Sequence, residues 1–394
     1  MDNIKIMKNI KLIQILNLLM DFKLYGAIAI LYFTQITNSI TLGMSVFSIT
    51  MLSAAIFEFP TGIFSDKFGR KKTIIIGTIA SLIYSILFAI GENYKWLIFG
   101  AVFEGLERAL FSGNNDSLIY DTLRENGKED EYKYYLGKTN SMYYAAGILS
   151  SILGAIIVYF TSYKLIMYIS IIPKIINIFV AFKIYEPNVI IDKKEKVVSK
   201  IINSIKETKN NKILTKQIIA DSLSQGIGEA TFQFRSKFYE LVWPTWALGI
   251  PNAIANIGSF IGNRYAGKII EKYGNKRIII TGYTYSIVSN VIAVVTKNII
   301  SPIIMITNSI IPTGIATEEI SQKLYKDKYR SSMGSIKSLF SSIVYSVFAL
   351  LVGVIADLTN VGFTIIIAQV VKIIVILIYI NIFKIKKFKL DIIL

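Results

Sequence analysis

Long apolar stretches alternate with short polar clusters from one end of the chain to the other. A helix needs about 20 mostly apolar residues to cross a bilayer. Twelve runs of roughly that length stand out, at approximately 13–35, 41–62, 73–91, 96–119, 139–160, 164–185, 213–235, 244–263, 277–296, 300–320, 335–357 and 361–383. None shows the two-residue alternation of a half-buried strand. The longest polar stretch, 186–212, is rich in lysine and leaves six runs on each side. The pattern predicts an all-α membrane protein with twelve transmembrane helices in two six-helix bundles, 1–185 and 213–394, joined by a cytoplasmic linker at 186–212.

Composition sharpens this picture. Of 394 residues, 53% are hydrophobic and only 18% are charged, with a mean hydropathy of +0.53. There is no cysteine and no histidine. That excludes disulfide frameworks, Cys/His zinc sites, and Cys-His or Ser-His-Asp nucleophiles. The net charge of +17 would suggest nucleic acid in a soluble chain. Here the positive residues sit between the apolar runs instead. With the N-terminus placed inside, the cytoplasmic segments hold 31 Lys/Arg and the opposite segments hold 5. This positive-inside bias predicts a multi-pass protein with both termini cytoplasmic. The first run is broken by Asp21 and Lys23, unlike a cleaved signal. Abundant Ile, Lys and Asn suggest an AT-rich bacterial genome, hence a bacterial inner membrane.

The two halves share a motif. Gly62-Ile-Phe-Ser-Asp66-Lys67-Phe-Gly69-Arg70-Lys71-Lys72 returns 205 positions later as Gly267-Lys-Ile-Ile-Glu271-Lys272-Tyr-Gly274-Asn275-Lys276-Arg277. Both copies lie between the second and third runs of their half, so the two bundles read as pseudo-symmetric repeats. The first copy resembles the loop between helices two and three of the major facilitator superfamily (MFS). With twelve spans, inward termini and a long middle loop, the resemblance covers essentially the whole chain. It implies a transporter, drug-efflux-like, with two bundles that rock about a central cavity. In that family the loop's acid tethers one half to the other when the cytoplasmic side is closed, and the partner position here falls near Ser335–Ser338. The resemblance thus assigns Gly62, Asp66, Gly69 and Arg70 to a conformational latch, with Glu58 supporting it and Gly267, Glu271 and Gly274 as a looser second copy. Gly62 is expected to permit close helix approach. Asp66 and Arg70, four apart, are expected to pair if that turn is helical.

Ionisable residues inside spans are costly and mark pathways. The interiors of spans three and nine carry none, whereas spans one, four and seven carry several; in this fold those three helices line the cavity. Span one sets Asn17, Asp21 and Tyr25 on one helical face. Lys23 projects about 160° away from Asp21 on a regular helix. Span four offers Glu104, Glu107 and Arg108, the first and last spaced to pair, and span seven offers Asp221, Gln225 and Glu229 on one face. The acids, counted with Asp116, outnumber Lys23 and Arg108, so an acidic cavity is expected. Crowded, desolvated carboxylates hold protons more tightly and can exchange them for a cation, with aromatic rings as cation–π surface. The bland alternative makes these residues structural ion pairs and anchors. Lys174 and Lys372, 198 apart, lie mid-span and either face inward or snorkel.

These readings predict no enzyme and no cofactor. No Gly-Lys-Ser/Thr nucleotide loop is present, so ATP is not expected to drive the chain directly. The leading expectation is a secondary active, multidrug-type transporter that exports a lipophilic or cationic small molecule against protons by alternating access. Its partners are that solute, protons and lipid, with no metal, no nucleic acid, and a monomeric chain. Two departures bear on drug export. Ala101 stands where family drug–proton exchangers often carry a basic residue, four before Gly105, and Gly147–Gly154 lacks their Gly-Pro-rich signature. The alternatives are an MFS transporter of a sugar, amino acid or peptide, and a non-transporting membrane sensor or scaffold.

Overall fold

In the structure, a computed structural model, residues 3–187, 206, 208–325 and 330–385 are described, the side chains of 3–5 and 330–332 apart. Most of the 186–212 linker lies outside the described residues. Every regular element among the described residues is a helix. The chain divides into two compact units, Met1–Ile191 with Pro244–Ala253, and Asp192–Trp243 with Ile254–Leu394.

The first unit contains α1 (Asn3–Asp21), α2 (Ala29–Thr37), α3 (Ile40–Phe68), α4 (Arg70–Ile90), α5 (Tyr94–Phe111), α6 (Asn114–Arg124), α7 (Tyr132–Phe160), α8 (Tyr163–Ile169) and α9 (Ile171–Lys183). The second contains α10 (Lys212–Tyr239), α11 (Gly249–Tyr273) from Ile254 onward, α12 (Asn275–Thr296), α13 (Ser301–Ile306), α14 (Thr313–Leu324), α15 (Arg330–Leu358) and α16 (Val361–Lys384). All twelve predicted spans are helical, but spans one, four, six and ten are interrupted rather than continuous. Gly113, at φ +68°, separates α5 from α6. Pro173 lacks the N–H that would bond the Ile169 carbonyl, where α8 stops. Pro312 ends the extended link before α14. Seven helices are long and apolar enough to cross a membrane. The remaining five spans, one, four, seven, eight and ten, are either broken or too polar for that measure.

Side-chain caps start several spans. Asn93, Asn211 and Asn360 each accept a backbone N–H from the first turn of α5, α10 and α16. Large apolar side chains such as Ile56, Phe160, Val295 and Leu358 point outward, as suits lipid. Inside the first unit, Ile6, Ile10, Ile13 and Leu16 of α1 pack with Leu118, Ile119 and Leu123 of α6. In the second unit Ile278, Ile279 and Tyr283 of α12 pack with Ile320 of α14 and Val375 and Tyr379 of α16.

The duplicated loop has the same backbone in both copies. Gly69 (φ +96°, ψ 159°) and Gly274 (φ +75°, ψ 149°) each sit at the turn into the third span of their unit. This corner of φ/ψ space is open essentially to glycine alone. The third spans end alike too, with Gly91 (φ +43°) and Lys297 (φ +40°) in left-handed caps.

Two expectations for the first copy are corrected. The helix ends at Phe68, so Asp66 and Arg70 do not share a helical turn; Arg70 Nε instead donates to Asp121 Oδ2 at 2.5 Å, and Asp66 is exposed. A Cβ at Gly62 would meet nothing within 4 Å, and the same holds for Gly267, so neither marks a close helix contact. The sequence reading also missed Glu186, whose carboxylate accepts the backbone N–H of Arg70 (2.8 Å) and Lys71 (2.5 Å) and so caps α4. Glu58 Oε1 accepts from Ser112 Oγ at 2.7 Å, which ties α3 to the α5–α6 break. Exchanging Gly69 for Ala should cost about 1–3 kcal/mol, because the added Cβ also lies 3.1 Å from the Glu186 carboxylate. Gly62→Ala, inside an open helix face, should be neutral or stabilising by up to about 1 kcal/mol. Thermal unfolding of the purified variants reads both.

Candidate transport site

The break in span one organises the first unit's charged groups. Span one leaves the α-helix at Asp21 and resumes it at Ala29. Between them the backbone makes a chain of tight turns, with Lys23 N–H on Asp21 O, Gly26 N–H on Lys23 O and Ile28 N–H on Tyr25 O. Irregular backbone at membrane depth persists only where protein or a water-lined cavity satisfies it. Here Lys174 of α9 does so: its Nζ donates to Met20 O at 2.5 Å and lies 3.5 Å from Leu19 O. A buried ammonium thus caps the negative end of α1. Lys174 is fully buried, so it faces inward and does not snorkel. On α7, Gly154 leaves room for the Leu24 carbonyl, which any Cβ there would strike.

The unwinding moves Lys23 from its expected direction. Lys23 Nζ lies 2.5 Å from Glu104 Oε1 on α5, an ion pair that a regular helix would have turned away. Arg108 approaches the same oxygen at 3.4 Å, the predicted i, i+4 contact. Thr50 Oγ1 of α3 lies 3.4 Å from Glu104 Oε2. Glu107, 3% exposed, has the Ser81 hydroxyl at 3.5 Å. Lys23 and Lys174 lie 5.5 and 5.7 Å from the centre of the Tyr84 ring, at cation–π range. Asp21 sits within electrostatic reach of Lys23, Lys174 and Arg108. Tyr25 no longer shares a helical face with Asn17 and Asp21; it is buried edge-on against Phe88. Asn17 accepts from Asn115 Nδ2 at 2.7 Å instead. Asp116 is exposed.

Three acids, Asp21, Glu104 and Glu107, therefore stand among three bases, Lys23, Arg108 and Lys174. The expected acid excess does not hold here. The count from sequence left out Lys174, whose mid-span position was its one signal.

The second unit builds a different network. Asp221, 2% exposed on α10, accepts from Tyr379 OH (2.6 Å), Ser321 Oγ (2.7 Å) and Lys337 Nζ (2.9 Å). Lys337 also reaches Glu318 Oε2 at 2.6 Å. Gln217, one turn before Asp221, donates to Thr317 O, Ser321 Oγ and Tyr379 OH. Together these bonds tie α10 to α14, α15 and α16. Gln225 and Glu229 follow on the same face of an unbroken helix, both exposed, and Gln225 Oε1 accepts from Ser341 Oγ at 2.9 Å. The sequence reading missed Lys337, Glu318 and Tyr379, although Lys337 is a charge inside an apolar run. Among the described residues no cluster of His, Cys, Asp and Glu could hold a metal ion.

The Major Facilitator Superfamily model matches residues 12–318. The chain belongs to this superfamily. An uncharacterized transporter of Buchnera aphidicola subsp. Acyrthosiphon pisum is 31% identical over 133 residues, 34% of this chain and 32% of its own. The chain thus matches about a third of that relative's length. Among solved structures, a mutant of the nucleoside transporter NupG superposes with a TM-score of 0.80 at 13% identity, over 95% of this chain and 100% of that one. A bacterial homolog of the human lysosomal transporter Spinster gives 0.78 at 13% identity, over 99% of both chains. At such identity the likeness carries the MFS fold.

The second-unit network sets a measurable cost. Lys337→Met strands the buried Asp221 and should destabilise this MFS chain by about 3–5 kcal/mol. Asp221→Asn added to that variant should recover much of the loss. Unfolding midpoints of the two single variants and the double variant give the coupling.

Proposed function

We propose that this MFS protein is a secondary active transporter of a small polar metabolite, working by alternating access. One observation carries the reading: at the span-one break three acids stand among three bases, with Glu104 held by both Lys23 and Arg108. A polar solute with its own donors and acceptors can exchange into such pairs, whereas a lipophilic cation needs uncompensated negative charge. The likeness to a nucleoside transporter points the same way. In this reading Asp21, Tyr25, Glu104, Glu107 and Arg108 of the first unit, with Asp221, Gln225 and Glu229 of the second, bind solute or couple its movement. The loop residues Glu58, Gly62, Asp66, Gly69 and Arg70, with Gly267, Glu271 and Gly274, form the conformational latch. The chain would lie in a bacterial inner membrane with both termini in the cytoplasm.

A second reading, proton-coupled efflux of a lipophilic cation, has one observation in its favour. Glu107 is buried, and among the described residues its one hydrogen-bond contact is the Ser81 hydroxyl at 3.5 Å, which leaves the carboxylate open to a proton.

Reconstituted vesicles with an imposed pH gradient separate the two. Labelled nucleosides, sugars and amino acids are offered in one set, and fluorescent cations in another. Saturable uptake of a metabolite, reduced about 100-fold or more in Glu104→Gln, supports the first reading; breaking a charge-assisted bond of 1.5–3 kcal/mol at each of two partners is of that order. Gradient-driven movement of cations alone, lost in Glu107→Gln, would replace it with the second. Flux linear in concentration for every solute would contradict both.

A further inference from the structure

The two repeat-related lysines have opposite surroundings. Lys174 of the first unit caps helix carbonyls and stands near Glu107 and Asp21. Lys372 of the second unit is 7% exposed, and its Nζ donates to Ser286 Oγ of α12 at 2.7 Å. The charged side chain acting on it is Arg235 of α10, a like charge. No carboxylate pairs with either one among the described residues. Keeping Lys372 charged in this buried place needs a counter-charge, which an anion would supply.

A second donor meets the same hydroxyl. Ser286 Oγ also receives Asn308 Nδ2 at 3.0 Å, from the 3-10 turn Thr307–Ile310 that interrupts span ten. The hydroxyl therefore accepts twice and keeps its own proton to donate. Lys372 has two further N–H groups. Arg235 Nε is buried with no hydrogen-bond partner among the described residues, and Tyr239, one turn on, lies within electrostatic reach of the same side chain. Buried acceptors flank the site. Gln369 lies one turn before Lys372 and Asn290 one turn after Ser286, each with a side-chain oxygen that has no partner. Those oxygens suit water molecules that accompany a bound anion. Arg235 and Asn308 are partly exposed, so the site has an outer end.

We propose that Lys372 and Arg235, with Ser286 and Asn308, form a binding site within the second unit for a small singly charged anion, either a halide or a carboxylate. The proposal is independent of the solute assigned to the first unit.

The test uses the full-length protein in detergent at constant ionic strength, with bulky methanesulfonate as the background anion. Chloride and acetate are titrated separately while thermal unfolding is followed. The expected result is a saturable rise in the midpoint with one of them. Apparent affinity should be about tenfold or more weaker in Lys372→Met and in Arg235→Gln, since each removes a charged hydrogen bond. A response to chloride assigns an inorganic anion; a response to acetate alone assigns a carboxylate. If the wild type responds to neither, or both variants respond as the wild type does, the proposal is overturned. Should Lys372→Met fail to fold, Arg235→Gln and bromide anomalous scattering decide. A bromide peak within hydrogen-bond reach of Lys372 Nζ supports the site; where chloride raised the midpoint, its absence in fully exchanged crystals overturns it.

Discussion

A backbone inside hydrocarbon must satisfy its polar groups within the protein, because no water is there to do so. Span one breaks this rule locally and stands because one ammonium, that of Lys174, takes the carbonyls that the broken helix leaves open. The rest of the first unit's charge arrangement follows from that contact. With α1 ended at Asp21, the chain turns and Lys23 faces α5, where Glu104 receives it. Arg108 and Thr50 then complete the shell of the same carboxylate. A continuous helix would have sent Lys23 elsewhere and left Glu104 with its neighbour on α5.

The second unit solves the same problem without a break in its first span. α10 runs unbroken from Lys212 to Tyr239, and Asp221 finds its donors on three other helices. The irregularity falls in span ten, where the turn Thr307–Ile310 brings Asn308 to Ser286. Duplication has kept the architecture and redistributed the charges. One unit gathers three acids and three bases around an unwound segment, with Glu104 held by two of the bases. The other holds a tight acid network at α10, α14, α15 and α16, and among the described residues Lys372 and Arg235 have no acid partner.

The loop motif shows how a repeated sequence keeps one role and changes another. Gly69 and Gly274 retain a conformation that only glycine adopts readily. The side-chain partners differ. Arg70 pairs with Asp121, and Glu186 caps the following helix. The second copy has Asn275 where the first has Arg70, and its Arg277 lies near the Tyr273 ring; the contact of Lys272 with Tyr273 repeats that of Lys67 with Phe68. Backbone geometry is set by local residue type and survives divergence; ion pairs need a partner from elsewhere in the chain.

Apolar run length determined the twelve spans, the helical class and the repeat, because a helix across hydrocarbon needs only length and apolar character. The 205-residue recurrence marked both glycine turns. Placement inside apolar runs flagged Asp21, Glu104, Glu107, Arg108 and Asp221. Which charges meet was decided by tertiary structure alone. Lys23 meets Glu104 across 81 positions, Arg70 meets Asp121 across 51, and Lys337 meets Asp221 across more than 100. Helical periodicity could not supply these pairs, since the helix stops at Asp21 and again at Phe68. A net charge can be counted along a sequence. Whether it is balanced depends on what folds against it, and Lys174 and Lys337 entered the balance only when α9 and α15 packed into place.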